Sequence, residues 1–245
     1  MKRRLLLIPA ALVLLTSLIA CVPPTPSQVN LEFDFRDGKV GWEHGFAEYA
    51  PDMRMELDGG LRPLPSELEI EGTGYYLQGM NRSDDLFMFL KRQLGTDDGI
   101  ILGQEYRINF TIVFASNAPS GAVGVGGAPG ESVFLKAGAS AIEPEAYLDT
   151  DMDYYVMNVG KGGLGATGEG EAGSIVGHIA NGIPAEEVDL QNSPYVSLER
   201  QHEHKYTVTA SPDGELWLLI GTDSGFEGLT GIYYQSISVT LEPVE

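Results

Sequence analysis

Tyr154 and Tyr155 follow Asp151 and Asp153 closely, and another acidic pair stands at Asp84 and Asp85. Aromatic rings beside carboxylates are the side-chain stock of sugar recognition, because a pyranose has an apolar face and a polar rim. Neighbours in an extended strand point to opposite sides of the sheet. One member of each adjacent tyrosine pair, Tyr75/Tyr76, Tyr154/Tyr155 and Tyr233/Tyr234, is therefore expected inside and the other outside. Trp42 and Trp217 are both expected in the core. The candidate ligand-binding residues are Tyr154 and Tyr155 with Asp151, Asp153, Asp84 and Asp85.

His202-Glu203-His204 offers a second chemistry. Its two imidazoles share one side of a strand, a spacing that holds zinc or another transition metal if a third ligand arrives from elsewhere. His202 and His204 are the candidate metal ligands; the other histidines are His44 and His178. Asp149, Asp151 and Asp153 match the first acidic positions of a calcium loop. Tyr154 stands where that loop needs Gly, however, and Gly160 where it needs Glu. Asp223-Ser224-Gly225 has the form of an aspartic-protease loop, whose chemistry needs two such carboxylates sharing a proton, and the sequence has no second copy. Gly124 and Gly126 are followed by Pro129 where a dinucleotide fingerprint needs its third glycine, and Gly160-Lys161 lacks the Ser or Thr of a phosphate loop. No Gly-x-Ser-x-Gly elbow exists. These motifs name no catalytic residue and no organic cofactor; beside the His202/His204 metal candidate they admit a structural calcium held by the acidic positions.

The elements that must position these residues read as strands. Over 105–115, Tyr106, Ile108, Phe110, Ile112 and Phe114 fall on one face and Arg107, Asn109 and Thr111 on the other, the pattern of a half-buried strand. Similar runs are 31–35, 68–70, 86–90, 133–136, 154–159, 206–209, 216–220 and 233–241. Turn chemistry separates them at Asp58-Gly59-Gly60, Asp97-Asp98-Gly99, 117–121 and Ser211-Pro212-Asp213-Gly214. The glycine-rich stretch 160–182 reads as a long surface loop. Helical periodicity is confined to the leader and one short turn at 185–188, with Pro184 suited to open it. Nine or more strands with turns between them predict an all-β, jelly-roll-like β-sandwich forming a single domain over 31–245.

Composition narrows the function further. The chain has 245 residues, 31 of them Gly, and a formal net charge of −20. A surface this acidic repels phosphates, which excludes nucleic acid as a partner. The single cysteine, Cys21, excludes an internal disulfide framework and a cysteine-based zinc cluster.

Residues 1–20 read as an export signal: Lys2, Arg3 and Arg4 precede an apolar stretch from Leu5 to Ala20. That stretch makes roughly 24 Å of helix, short of a hydrocarbon core of about 30 Å. Leu18-Ile19-Ala20-Cys21 resembles the lipobox of bacterial lipoproteins. The resemblance implies cleavage before Cys21, diacylation of its thiol (palmitate among the acyl chains), and residence outside the cytoplasm on the cell envelope. Residues 21–30, rich in proline, then form a tether, which in polyproline II geometry holds the folded part about 20 Å off the bilayer.

Phe33-Asp34-Phe35-Arg36-Asp37-Gly38 followed by Gly41-Trp42 resembles the opening strand of jelly-roll carbohydrate-binding modules, and Ile232 to Val239 is similar to their closing strand. In many such modules an opening Glu and a closing Asp share a structural calcium; here Arg36 and Gln235 stand at those positions. Segments around 83–91, 115–121, 130–138 and 221–228 resemble a group of bacterial envelope proteins with no established activity. The expectation is a lipid-anchored envelope module, glycan-binding and non-catalytic. Two alternatives stand beside it: a polysaccharide hydrolase with paired carboxylates, and a structural or partner-binding envelope protein.

Overall fold

The computed structural model describes residues 27–83, 85–164, 168 and 170–245. The export signal, Cys21, most of the tether and Asp84 lie outside them. Regular structure among the described residues is strand with four short 3-10 turns, and no helix is long and apolar enough to cross a membrane.

The fourteen strands among the described residues form two packed sheets and a separate hairpin. The seven-stranded sheet is built on β6 (Glu105–Ser116) and β14 (Leu229–Pro243), which pair along most of their length. On its free edge β14 carries β4 (Thr73–Met80) over one half and β1 (Val29–Asp34) over the other, with β3 (Asp58–Pro63) beyond β4. The free edge of β6 likewise carries β11 (Val196–Glu203) and then β12 (Val208–Thr209). The five-stranded sheet runs β10 (Ser174–His178), β7 (Val133–Ser140), β13 (Leu216–Ser224), β5 (Leu86–Leu94), β2 (Glu43–Ala47). Consecutive segments pass repeatedly from one sheet to the other, the winding of a jelly-roll-like sandwich.

The main core fills the space between the sheets. All five apolar residues of the 105–115 alternation are buried in it, beside Phe33, Phe35, Trp42, Tyr75 and Tyr234. A second, smaller core lies on the far face of the five-stranded sheet, where Ala47, Phe87, Phe89, Ala172 and Leu219 are buried. It is covered by Ala146, Met157 and Val159 from β8 (Ala146–Asp149), β9 (Tyr154–Met157) and the segment that follows. With both faces covered, β5 and β13 read as continuous apolar runs instead of alternating ones. Among the described residues no second apolar core covers the far face of the seven-stranded sheet, and its outward residues include Glu32, Asn109, Thr111, Glu199, Ser238 and Thr240.

Several local expectations are corrected. Residues 68–70 are not a strand: a 3-10 turn spans Ser66–Leu68 and Glu69 closes it at φ 54°, because Pro63 and Pro65 restrict the approach. Asp58-Gly59-Gly60 is the start of β3, not a turn. The stretch 160–182 contains β10, so it is not one loop. Trp42 is in the core as expected, whereas Trp217 is half-buried on the outer face of the five-stranded sheet, with the Lys91 ammonium 5.6 Å from its ring centre.

Candidate functional site

The uncovered face of the seven-stranded sheet carries three tyrosines. Tyr76 and Tyr233 are register partners on β4 and β14, and their ring centres are 4.6 Å apart. Tyr195, just before β11, meets Tyr233 edge-on at 5.2 Å. Gly231 lies beneath them: a Cβ there would sit 2.7 Å from the Tyr76 hydroxyl and 3.2 Å from that of Tyr195. Only a residue without a side chain lets the two phenols converge. Tyr76 donates to Gln78 Oε1 at 2.7 Å, and the Arg62 guanidinium, paired with Asp58, stands 4.8 Å from the centre of the Tyr76 ring. The Tyr195 amide donates to Glu67 Oε1 at 3.3 Å. Burial pushes the phenols of Tyr76, Tyr195 and Tyr233 upward, so all three are neutral hydroxyls at physiological pH. Tyr233 and Tyr195 are half-buried, and Tyr76 is buried.

Beside this trio runs a cleft of about 190 Å3. Gln235 reaches it because β14 is bulged there: the register with β6 skips from Tyr234 to Ser236, so Gln235 is the unpaired extra residue. Its Oε1 accepts from Ser197 Oγ at 2.6 Å. On the opposite wall Arg36 Nε donates to both carboxylate oxygens of Asp34, 2.9 Å each, and Arg36 holds that carboxyl below the usual range. Leu64, Ile70 and Val113 supply apolar surface between. Arg36 and Gln235, two hundred residues apart in sequence and both at positions marked by the resemblance to carbohydrate-binding modules, thus line one cleft. Among the described residues no group of three or more His, Cys, Asp or Glu side chains could hold a metal ion.

Tyr154 and Tyr155 lie on the other side of the sandwich, on the β8–β9 hairpin. Asp149 Oδ1 caps the intervening turn by accepting from the amides of Asp151 and Met152, which leaves Asp151 and Asp153 exposed. Tyr155 stacks on Tyr49 at 5.0 Å, and backbone hydrogen bonds from Glu48 and to Tyr49 fasten the hairpin to the end of β2. Tyr154 faces Ser83, Asp85, Glu48 and Lys161. The structure therefore brings Tyr154 and Asp85 together and places Asp151 and Asp153 away from them on the turn.

Beneath this hairpin is a buried charge cluster that sequence reasoning missed. Lys136 donates to Asp223 at 2.7 Å and to the carbonyls of Lys161, Gly163 and Gly168. Lys161 meets the same Asp223 oxygen at 3.1 Å, with Asp85 and Glu48 at 3.8 and 3.9 Å. Burial pushes Asp85 up to about 7, aided by its hydrogen bond to Asp223. Burial raises Asp223 too, but Lys161, the Asp85 proton and Lys136 outweigh it and hold Asp223 ionised. Asp223 is fully enclosed and contacted by both lysines, which is the environment of a clamp. The available signal was a lysine on the apolar run of β7 and an aspartate on that of β13.

His202 Nε2 and His204 Nδ1 each lie 2.7 Å from Ser174 Oγ, and His204 Nε2 lies 3.1 Å from the Glu171 carbonyl. The two histidines thus join the edge strands β10 and β11 through one hydroxyl. His44 is elsewhere, against the Tyr75 hydroxyl, and His178 accepts from the Ala180 amide.

No protein-family model matches the chain, and no curated protein matches it. Among solved structures it is similar to a carbohydrate-binding module of the β-sandwich superfamily described for promiscuous specificity, at 14% identity and TM-score 0.36, covering 87% of this chain and 61% of that one. A module described for specific mannan recognition gives 12% identity and TM-score 0.37, with 88% and 98% covered. A cleaved adhesin domain of Lys-gingipain from Porphyromonas gingivalis gives 10% identity and TM-score 0.39, with 86% and 96% covered.

Proposed function

We propose that this protein is a lipid-anchored module of the bacterial cell envelope that binds polysaccharide on the open face of its seven-stranded sheet. The observation that carries the reading is the adjacency of a half-open tyrosine, Tyr233, to a cleft offering a guanidinium, a carboxylate, an amide and hydroxyls beside apolar walls. That combination matches a sugar ring's apolar face and hydroxyl rim. Binding is favoured over hydrolysis because, among the described residues, Asp34 is the one carboxylate lining the cleft and it is locked to Arg36. Paired-carboxylate hydrolysis has no second acid there.

A glycan array probed with the purified protein is expected to retain at least one polysaccharide, and Tyr233→Ala is expected to weaken that binding about tenfold, the scale of one lost aromatic contact. A blank array, or unchanged retention by Tyr233→Ala and Gln235→Ala, overturns the glycan reading. The anchor is tested separately. Cys21→Ala is expected to move the protein from the detergent phase to the aqueous phase, since a second acyl chain is what makes membrane residence stable. Equal partitioning of variant and parent overturns it.

A further inference from the structure

The β8–β9 hairpin pairs with neither large sheet and forms a two-stranded sheet of its own. The Tyr155 backbone ties it to Glu48 and Tyr49 at the end of β2. Ala146 and Met157 of the hairpin cover the small core of Ala47, Phe87, Phe89 and Leu219, and Tyr154 faces Asp85. The charges beneath do not balance. Among the described residues, the groups facing Asp85 are Glu48 at the end of β2, Asp223 of β13, Lys136 of β7, Lys161 after β9 and the Tyr154 hydroxyl. Three carboxyls therefore meet two ammonium groups. Both lysines contact Asp223, at 2.7 and 3.1 Å, whereas Lys161 stands 3.8 and 3.9 Å from Asp85 and Glu48. Asp85 Oδ1 is buried and accepts no hydrogen bond. A carboxylate held that way has lost its hydration without full compensation, and a proton removes the excess charge. Lifting the hairpin does the same by a different route, because it admits water to Asp85.

We propose that the hairpin is an acid-closed strap: with a proton on Asp85 it seals the small core, and with Asp85 ionised it lifts and uncovers Phe87 and Phe89. Burial, and after it Asp223, raises Asp85 to about 7 in the closed form, and contact with water returns it toward the ordinary carboxylate value in the open one. The closed form thus binds the proton more tightly. Its advantage is complete below the open-form value, falls as pH rises toward about 7, and is constant above that. Glu48, also raised by burial and accepting from the Met157 amide, acts in the same direction. Hydrogen exchange of the full chain from about pH 5 to about pH 8, followed by mass spectrometry and corrected for intrinsic amide exchange, tests the strap. Peptides from β8 and β9 are expected to exchange at least about tenfold faster at pH 7 than at pH 5, with little further change above, while β6 in the main core stays constant. Asp85→Asn keeps the side-chain shape without the ionisation, and the gain should vanish. A flat hairpin profile in the parent, an equal gain in β6, or the same gain in Asp85→Asn overturns the proposal.

Discussion

Asp223→Asn is expected to destabilise the fold by about 3–5 kcal/mol, the cost of removing one partner from a buried ion pair and leaving the other uncompensated. Asp223 is the shared anion of Lys136 and Lys161, and after its loss Lys136 keeps three carbonyls but no anion in contact. For a chain of this length the melting temperature should drop by roughly 10 °C, measured by thermal unfolding. The effect depends on pH with a definite sign. Asp223 has a lowered pKa in the fold, so its contribution is complete above the unfolded carboxylate value and fades as pH falls through the folded one. Parent and variant should therefore converge on acidification. Combining Asp223→Leu with Lys136→Met is expected to recover part of the loss, because the uncompensated Lys136 charge is removed while Lys161 keeps Asp85 and Glu48 at 3.8 and 3.9 Å. If the double variant is as unstable as the single one, the cost is not that of an unpaired charge.

Trp42→Ala is expected to cost about 3–5 kcal/mol, the range for truncating a large buried aromatic. Trp42 is 1% exposed and packs edge-on against Phe33 and Phe35, at 5.6 and 6.4 Å, so it ties β1 and the turn after it to the core. Its indole nitrogen has no hydrogen-bond partner. Trp42→Phe loses packing only, and should cost roughly half of the alanine penalty or less. A urea titration of both variants checks the ordering; equal penalties would mean that the indole nitrogen is hydrogen-bonded after all.

The strand content was legible wherever one face of a strand is buried and the other wet. β6 is the clearest case, and its five predicted core residues all face inward. Tyr75 and Tyr234 point into the core while Tyr76 and Tyr233 point out, as alternation required. Only the histidine end of β11 was legible, because it is an edge strand whose exposed side carries Glu199, Gln201 and Glu203, and charge of that kind hides a strand from hydropathy. β4 escaped because Gly74 and Gly79 interrupt its pattern.

The candidate site divided along the same line. Of the expected residues the fold brings Tyr154 and Asp85 together but not Asp151 and Asp153, and the open face with Tyr76, Tyr195 and Tyr233 was not foreseen, since Tyr195 reaches β14 only across β6 and β11. Residue type and spacing alone determined the all-strand class and the chemical stock from which a sugar site can be built, because these follow from periodicity and composition along the chain. Tertiary structure decided which of that stock converges. It set Arg36 against Gln235 through a bulge and spent Asp223 and two lysines on a buried clamp, because contacts between distant segments depend on sheet order and register, which no local pattern encodes.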